Sequence, residues 1–534
     1  MPKTRNSGPL IACILVIAIL SLAAVIAFQK PSAPVLSTTT TTIFLSHHYA
    51  LAQGENFTIT KYSNPSTGYS WNISIDNPSV VEYLGTGGCD PELTWEMQVG
   101  AGCNETYNFR TLSPGTAAVL FRYMRPWEAN STVHTYYLTV TVSPANQTFQ
   151  NASSRSAEQA VSNSINDFAL RSYAKMEGNA SNIFFSPFSV YAALSMASEG
   201  ARGSTLAEMQ GALDASSPFN ATANRLGFAS LIEHINANSA SSLLVADTIW
   251  VEKKFPINPE FVGVLLKYYR APAQSADFSL NSNAERLRIN GWVANMTYGR
   301  IQDLLPEGSI SYLTRIVLTN AVYFKGDWAQ QFNASYTQDA PFFVSPSQSV
   351  TAKMMHLPDA ENASYYSNGT LSALSLDYKG SDLSMLILLP VASNGLQPLE
   401  ANLSTSEIAS IKSGLVRKQV DVWMPRFSLT QSQELSGTLK SLGMKVPFDS
   451  MLANFSGINA TAGLYITGVF HKAFINVNET GTEAAAATGV VIGTTAVQFP
   501  VQFRADHPFV FFIMDKSTGA ILFMGRVENP AVAS

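Results

Sequence analysis

The chain is 534 residues long, 46 % hydrophobic and 13 % charged, with a formal net charge of −5. One ordinary core does not organise that length, so two domains are expected. The mild charge, with no run of five basic residues, excludes the footprint of a nucleic-acid binder.

Residues 9–28 (PLIACILVIAILSLAAVIAF) form an uncharged apolar run behind Lys3 and Arg5. As a helix this run is long enough to span a bilayer with the N-terminus on the cytoplasmic side. The other reading of residues 1–30 is a cleaved signal peptide with its cut among the small residues Ala24–Ala27; the length of the run favours an uncleaved anchor. Either way the bulk of the chain is exported, to the extracellular face of the membrane or, after cleavage, as a secreted protein. Sixteen N-x-S/T sequons from Asn56 to Asn478 fit an exported, Asn-rich surface. Residues 31–42 are a Pro, Ser and Thr spacer that holds the next domain clear.

Over 43–143, short β-branched or alternating runs recur between turn signals: NFTITKY, WNISI, VVEYL, ETYNFRTL, AAVLFRYM and TVHTYYLTVTV. That density of strands predicts an all-β sandwich. Three turns carry unusual chemistry: NPSTGYSW (64–71), VGAGCNETYNF (99–109) and YMRPWE (123–128). Cys13 lies in the apolar run, which leaves Cys89 and Cys103 as the exported pair. They either bridge in an oxidising compartment or stay as two free thiols.

Together the three turns resemble the loops of the chagasin family, reversible inhibitors of papain-like cysteine peptidases on an immunoglobulin-like sandwich. The NPTTG-type, GxGG-type and RPW-type loops of that family match in order and spacing, with Ser66 in place of a threonine and Cys103 in place of a glycine. The resemblance implies that Asn64, Pro65, Thr67, Gly68 and Tyr69, with Gly100 and Gly102, and with Arg125, Pro126 and Trp127, fill the peptidase cleft. Thr67 and Gly68 would approach the catalytic cysteine and histidine. A Cys89–Cys103 bridge would fix the middle loop where its glycine is missing. Turns stiffened by Pro65 and Pro126 lose little entropy on docking, and the aromatics supply buried area.

Residues 144–157 are a polar connector. From 158 to 534 helical and extended patterns alternate irregularly, beginning with Val161, Ile165, Phe168 and Tyr173 at helical spacing and ending in a hairpin that turns at Lys516–Gly519. This suits an α+β domain with one large sheet. Within it, NETGTEAAAATGVVIGTTAVQFP (478–500) has no charge after Glu483 and few large side chains. As a strand it places Thr482, Ala484, Ala486 and Thr488 on one face and Glu483, Ala485 and Ala487 on the other. The first face would slide between existing strands without overpacking. A helical turn through EAAAA, or a plain loop, is the competing reading. No GxSxG, HExxH or CxxC motif is present, so neither a hydrolase nor a metal site is indicated, and no cofactor is expected.

Four blocks, NIFFSPFSVYAALSMASEGARGST (182–205), LTNAVYFKGDW (318–328), HKAFINVNETGTEAAAA (471–487) and HPFVFFIMDKSTGAILFMGRVENP (507–530), resemble the serpin family in order and spacing. The resemblance implies a metastable, monomeric inhibitor whose exposed loop is cut by a serine peptidase, forms an acyl-enzyme, and inserts into the central sheet as a new strand before water frees the enzyme. Glu479, Gly481, Thr482, Glu483, Ala484, Ala485, Ala486, Ala487 and Thr488 would be the hinge. Counting from the hinge puts the scissile bond at one of Thr494, Thr495, Ala496 or Val497. All four are small or β-branched and uncharged, which points to elastase-like or subtilisin-like enzymes and away from trypsin-like ones. Ser186, Ser189, Asn320 and His471 match the polar cluster under the opening sheet. The combined expectation is a two-headed peptidase inhibitor; the alternative is a surface or adhesion protein whose two domains no longer inhibit.

Overall fold

The computed structural model describes residues 45–54, 56–63, 68–90, 103–128, 134–143, 152–176, 182–214, 220–237, 242–271, 273–361, 363–460, 463–482 and 500–532. The membrane-anchor or leader expectation (9–28) and the spacer fall outside them. No helix among the described residues is long and apolar enough to cross a membrane.

The first seven strands are β1 (Leu45–Ala52), β2 (Asn56–Ser63), β3 (Ser70–Ile75), β4 (Val81–Asp90), β5 (Cys103–Thr111), β6 (Gly115–Met124) and β7 (His134–Ser143). Six coincide with the alternating runs of the sequence. β1 lies outside those runs, its sequence LSHHYALA carrying His47 and His48, and it pairs parallel to β7. Two sheets result, ordered β1-β7-β6-β3 and β2-β5-β4. Period-2 alternation sends Phe57, Ile59, Tyr107, Phe109, Val119, Phe121 and Val140 into one shared core, with Trp71, Ile73 and Ile75 packed at its edge.

Helix α1 (Ala152–Met176) buries the predicted Val161, Ile165, Phe168 and Tyr173. Helix α2 (Pro187–Gly200) is mostly apolar, with serines and Glu199 as its polar residues, and is buried along almost its whole length. Its start is fixed by Pro187 in the first turn and by Ser186, whose Oγ accepts from Ser189 N–H. Helices α3 (Gly203–Leu213) and α4 (Ala221–Ala237) follow.

The remaining strands are β8 (Ile183–Phe185), β9 (Ser242–Glu252), β10 (Ala273–Ala276), β11 (Ile316–Asp327), β12 (Gln338–Ser345), β13 (Gln348–Ala360), β14 (Ser364–Ser367), β15 (Leu371–Asp377), β16 (Leu383–Pro390), β17 (Val416–Arg417), β18 (Val420–Pro425), β19 (Phe427–Glu434), β20 (Ile466–Val477), β21 (Gly481–Thr482), β22 (Val501–Arg504), β23 (Phe509–Asp515) and β24 (Ile521–Val527). In place of one large sheet there are three: β10-β9-β11-β21-β20-β19, β12-β13-β18-β22 and β17-β14-β15-β16-β23-β24-β8. The continuous apolar runs of β16 and β23 are buried on both faces, a pattern from which sheet membership cannot be read.

Candidate inhibitory sites

The seam between β11 and β20 is the central feature of the first of these sheets. The two strands run parallel and pair directly from Ile316 opposite Ile466 to Tyr323 opposite Phe474. Beyond that point they part, and β21 enters the gap. Thr482 pairs with Gly326 on one side and with Val477 on the other. Gly481 lies so close to its neighbour that an added Cβ would stand 2.1 Å from the Gly326 carbonyl oxygen, so a bare backbone is required. Thr482 is fully buried, and its hydroxyl meets the Tyr378 hydroxyl at 2.8 Å.

The chain entering this gap is clamped. Trp328 stacks on Tyr378 with ring centroids 4.8 Å apart, donates from Nε1 to the Asn478 carbonyl (3.0 Å), and donates from its backbone N–H to the Thr480 carbonyl (2.9 Å). Glu479 receives Arg426 Nε at 2.6 Å and the Thr337 hydroxyl. Burial opposes ionisation of Glu479, but Arg426 and Thr337 hold its carboxyl below the usual range. Asn478 Oδ1 accepts from Thr480 N–H (3.0 Å), the Thr480 hydroxyl (2.7 Å) and Gly481 N–H (3.3 Å), closing the turn.

Lower in the seam the structure brings Ser186, Ser189, Asn320 and His471 together, all fully buried. His471 Nε2 accepts from Ser186 N–H at 3.1 Å, and Nδ1 faces Asn320 Oδ1 across the seam. Burial lowers the His471 pKa to about 3, so the ring is neutral at ordinary pH. Asn320 Nδ2 reaches Ser189 Oγ and also Asp247 Oδ1, the latter at 2.6 Å.

In the N-terminal domain, β3 and β6 bring two of the three turns to one end. Gly68 has φ of +77°, and a Cβ there would lie 2.9 Å from Cη2 and Cζ2 of Trp127. The Arg125 guanidinium sits 4.7 Å over the Tyr69 ring and pairs with Glu128 at 3.2 Å. Tyr69 stacks on Tyr123, which in turn packs on Trp71. Trp127 remains 73 % exposed. Asn64, Pro65, Thr67, Gly100 and Gly102 lie outside the described residues. Cys89 and Cys103 stand opposite Glu105 and Ser63 in the ladders, and the expectation of a disulfide between them falls on side chains outside those described. Glu483, Ala484, Ala485, Ala486, Ala487 and Thr488, and the scissile candidates Thr494, Thr495, Ala496 and Val497, also lie outside them. Among the described residues no group of His, Cys, Asp and Glu is arranged to hold a metal.

The family model for serpins (serine protease inhibitor) matches residues 163–530. The chain belongs to the serpin family. A serpin-like protein of Thermococcus kodakarensis is 40 % identical over 70 % of this chain and 86 % of its own length. The leukocyte elastase inhibitor of Bos taurus is 39 % identical over 66 % of this chain and 94 % of its own. The solved structure of a highly specific serpin from the insect Tenebrio molitor superposes with a TM-score of 0.62 at 30 % identity, covering 72 % of this chain and all of that one. Residues 50–140 match the family model of the chagasin family of peptidase inhibitors. A peptidase inhibitor is therefore the class of protein that both halves support.

Three residues that bond to the seam belong to no sequence motif. Arg426 and Thr337 converge on Glu479 from positions 53 and 142 residues away, a juxtaposition with no local pattern. Asp247 is an isolated acid inside the apolar strand SLLVADTIWVE, and that isolation was its one visible signal.

Proposed function

We propose that the chain is an exported, membrane-anchored inhibitor with two heads. The serpin head traps serine peptidases of elastase-like or subtilisin-like preference by inserting its cut loop, and the immunoglobulin-like head reversibly blocks papain-like cysteine peptidases. The seeding of Gly481 and Thr482 between β11 and β20 carries the reading of the serpin head. Insertion continues a register already begun: six residues on from Thr482 is Thr488, six back from Gly326 is Asn320, and six back from Val477 is His471. Asn320 and His471 are themselves partners across the seam. Insertion therefore brings the Thr488 hydroxyl level with both and offers each a replacement for the bond they lose. Thr482 points to the Tyr378 side of the sheet, so Ala484, Ala486 and Thr488 follow it into the core while needing little volume.

The target preference rests on the uncharged candidates Thr494–Val497 and is supported by the elastase-inhibitor relative. For the second head, the support is the exposed Trp127 braced on Gly68 beside the Arg125–Tyr69 pair, a preorganised anchor for a cleft. A bridge between Cys89 and Cys103, the anchor at 9–28 and a monomeric state complete the reading. The test is incubation of the full chain with pancreatic elastase, subtilisin and papain. The expected results are SDS-stable complexes with one or both serine enzymes and reversible loss of papain activity. Loop cleavage with no trapped complex would leave a substrate in place of a suicide inhibitor.

A further inference from the structure

One acid sits in the middle of the opening sheet with half of its carboxyl unused. Asp247 on β9 is 6 % exposed; its Oδ1 accepts from Ser189 Oγ (3.0 Å) and Asn320 Nδ2 (2.6 Å), while Oδ2 is buried and meets no donor among the described residues. The groups facing it are neutral. Ser189 comes from α2 and Asn320 from β11, while β10 pairs with β9 only from Ile249 to Glu252 and does not reach Asp247. His471 on β20 is separated from it by Asn320 and is itself neutral, accepting from Ser186 N–H. Charged residues of the same elements are engaged elsewhere: Glu252 of β9 with Ser279, Glu199 of α2 with Arg225, and Lys472 of β20 with the Gln302 carbonyl. A carboxylate with two neutral donors and no cation beside it is expensive to bury, so the uncharged acid is the form this site favours. Burial accordingly pushes the Asp247 carboxyl well above the usual carboxylate range.

The sheet order adds a mechanical consequence. β10, β9 and β11 form one block on one side of the seam, and β20 and β19 form the other. Helix α2 is bonded to both, through Ser189 to the first and through Ser186 to the second. Admitting a strand displaces one block by a strand spacing, about 4.8 Å, which exceeds the reach of a hydrogen bond. We propose that the Ser189 side yields, and that Asp247 is a proton-linked catch on sheet opening. Uncharged, it keeps β9 and β11 seated on α2; as the block slides, the carboxyl meets water and gives up its proton. Acid then holds the uncut serpin closed, and each rise in pH favours the open sheet.

The inference rests on the reading that the sheet opens, and the two fail differently. It is tested by amide hydrogen exchange of Leu318–Ala321 in the full, uncut chain between pH 5 and pH 8, corrected for intrinsic exchange rates. His471 is neutral in the closed sheet, where burial lowers its pKa to about 3, and any proton it takes up when the seam is wetted is common to wild type and Asp247→Asn. Relative to Asp247→Asn, the wild-type opening equilibrium is expected to rise toward about tenfold per pH unit, the slope for one proton released. An equal pH profile in wild type and variant overturns the proposal. Should the variant not fold, infrared spectroscopy of the wild type decides: the uncut protein at pH 7 must show the carbonyl band of a protonated carboxyl that loop cleavage removes, and its absence overturns the proposal. Failure of the opening itself shows instead as a cut chain that melts no higher than the intact one.

Discussion

Glu479 is the residue on which the closed top of the sheet depends. It is buried, yet it is bonded through Oε1 to both Arg426 and Thr337, and its backbone carbonyl accepts from Phe332 N–H at 2.9 Å. Glu479→Gln keeps the shape and removes the charge. Arg426 is partly exposed and regains water, so the expected cost lies toward the lower end of about 1–3 kcal/mol, read from urea unfolding at pH 7. A carboxyl held below its usual range adds stability above the ordinary carboxylate pKa that is lost as pH falls through the lowered value. The wild type should therefore lose this increment in acid, and the Gln variant should have none to lose. A second residue-scale prediction concerns Gly68. Its φ of +77° and the 2.9 Å approach of the Trp127 ring leave no room for Ala, so Gly68→Ala strains the turn by about 1–3 kcal/mol or expels the indole. Inhibition of papain is expected to weaken about tenfold or more while elastase trapping is unchanged. Equal potency of the variant against papain would separate Trp127 from the cleft-filling role.

At the scale of elements, His234 ties helix α4 to three others. Its ring lies 3.6 Å from Glu158 on α1, 3.5 Å from Asp515 at the end of β23 and 3.9 Å from Asp382 before β16, and Ser517 bonds Nε2 at 2.8 Å. The Asp515 carboxylate raises the His234 pKa against the opposing effect of burial, with Glu158 and Asp382 adding to it. A raised histidine contributes stability that is complete below about pH 6.5 and disappears as pH climbs through the folded-state value. The melting temperature of the serpin domain should thus fall by a few degrees from pH 6 to pH 8, and His234→Gln should remove that slope and start from the lower value. This cluster is also where sequence reading stops. Six of the N-terminal strands, the closing hairpin and helix α1 announce themselves because side-chain period records burial within one element. The row of small residues after Gly481 is legible for a related reason, since small side chains are themselves a volume statement. Contacts such as His234 with Asp515, Glu479 with Arg426, and Asp247 with Asn320 join residues 281, 53 and 73 positions apart, and no local period records them. The polar cluster of Ser186, Ser189, Asn320 and His471 was legible through family resemblance alone, because each of its members looks ordinary in its own strand or helix.

For the whole molecule, the described state is closed along most of its seam and open only at the top. β11 and β20 satisfy each other from Ile316 to Tyr323, so the sheet admits a strand only by exchanging that ladder for two new ones. An intact loop cannot make the exchange while both of its ends are held, the first at β21 and the second where Val501–Arg504 runs beside β18. Cutting releases the segment tethered at β21 from the second anchor, so it can follow Thr482 into the seam. One inserted strand of roughly ten residues adds about ten ladder bonds, each contributing about 0.5–1.5 kcal/mol net, so the cut chain is expected to melt well over 10 °C above the intact one. In a scan of the full protein only the transition of the serpin domain should move; that of the N-terminal domain should stay where it was. Ala486→Arg isolates the cause. Thr482 is already 0 % exposed against Tyr378 in the intact chain, whereas position 486, four residues on and on the same strand face, meets the core only on insertion, where an uncompensated guanidinium is costly to bury. The variant loop should still be cut by elastase, yet the cut variant should melt with its intact form and the SDS-stable complex should be missing. A cut Ala486→Arg chain that gained the full wild-type increment would show that the energy of trapping comes from somewhere other than burial of this face of the inserting segment.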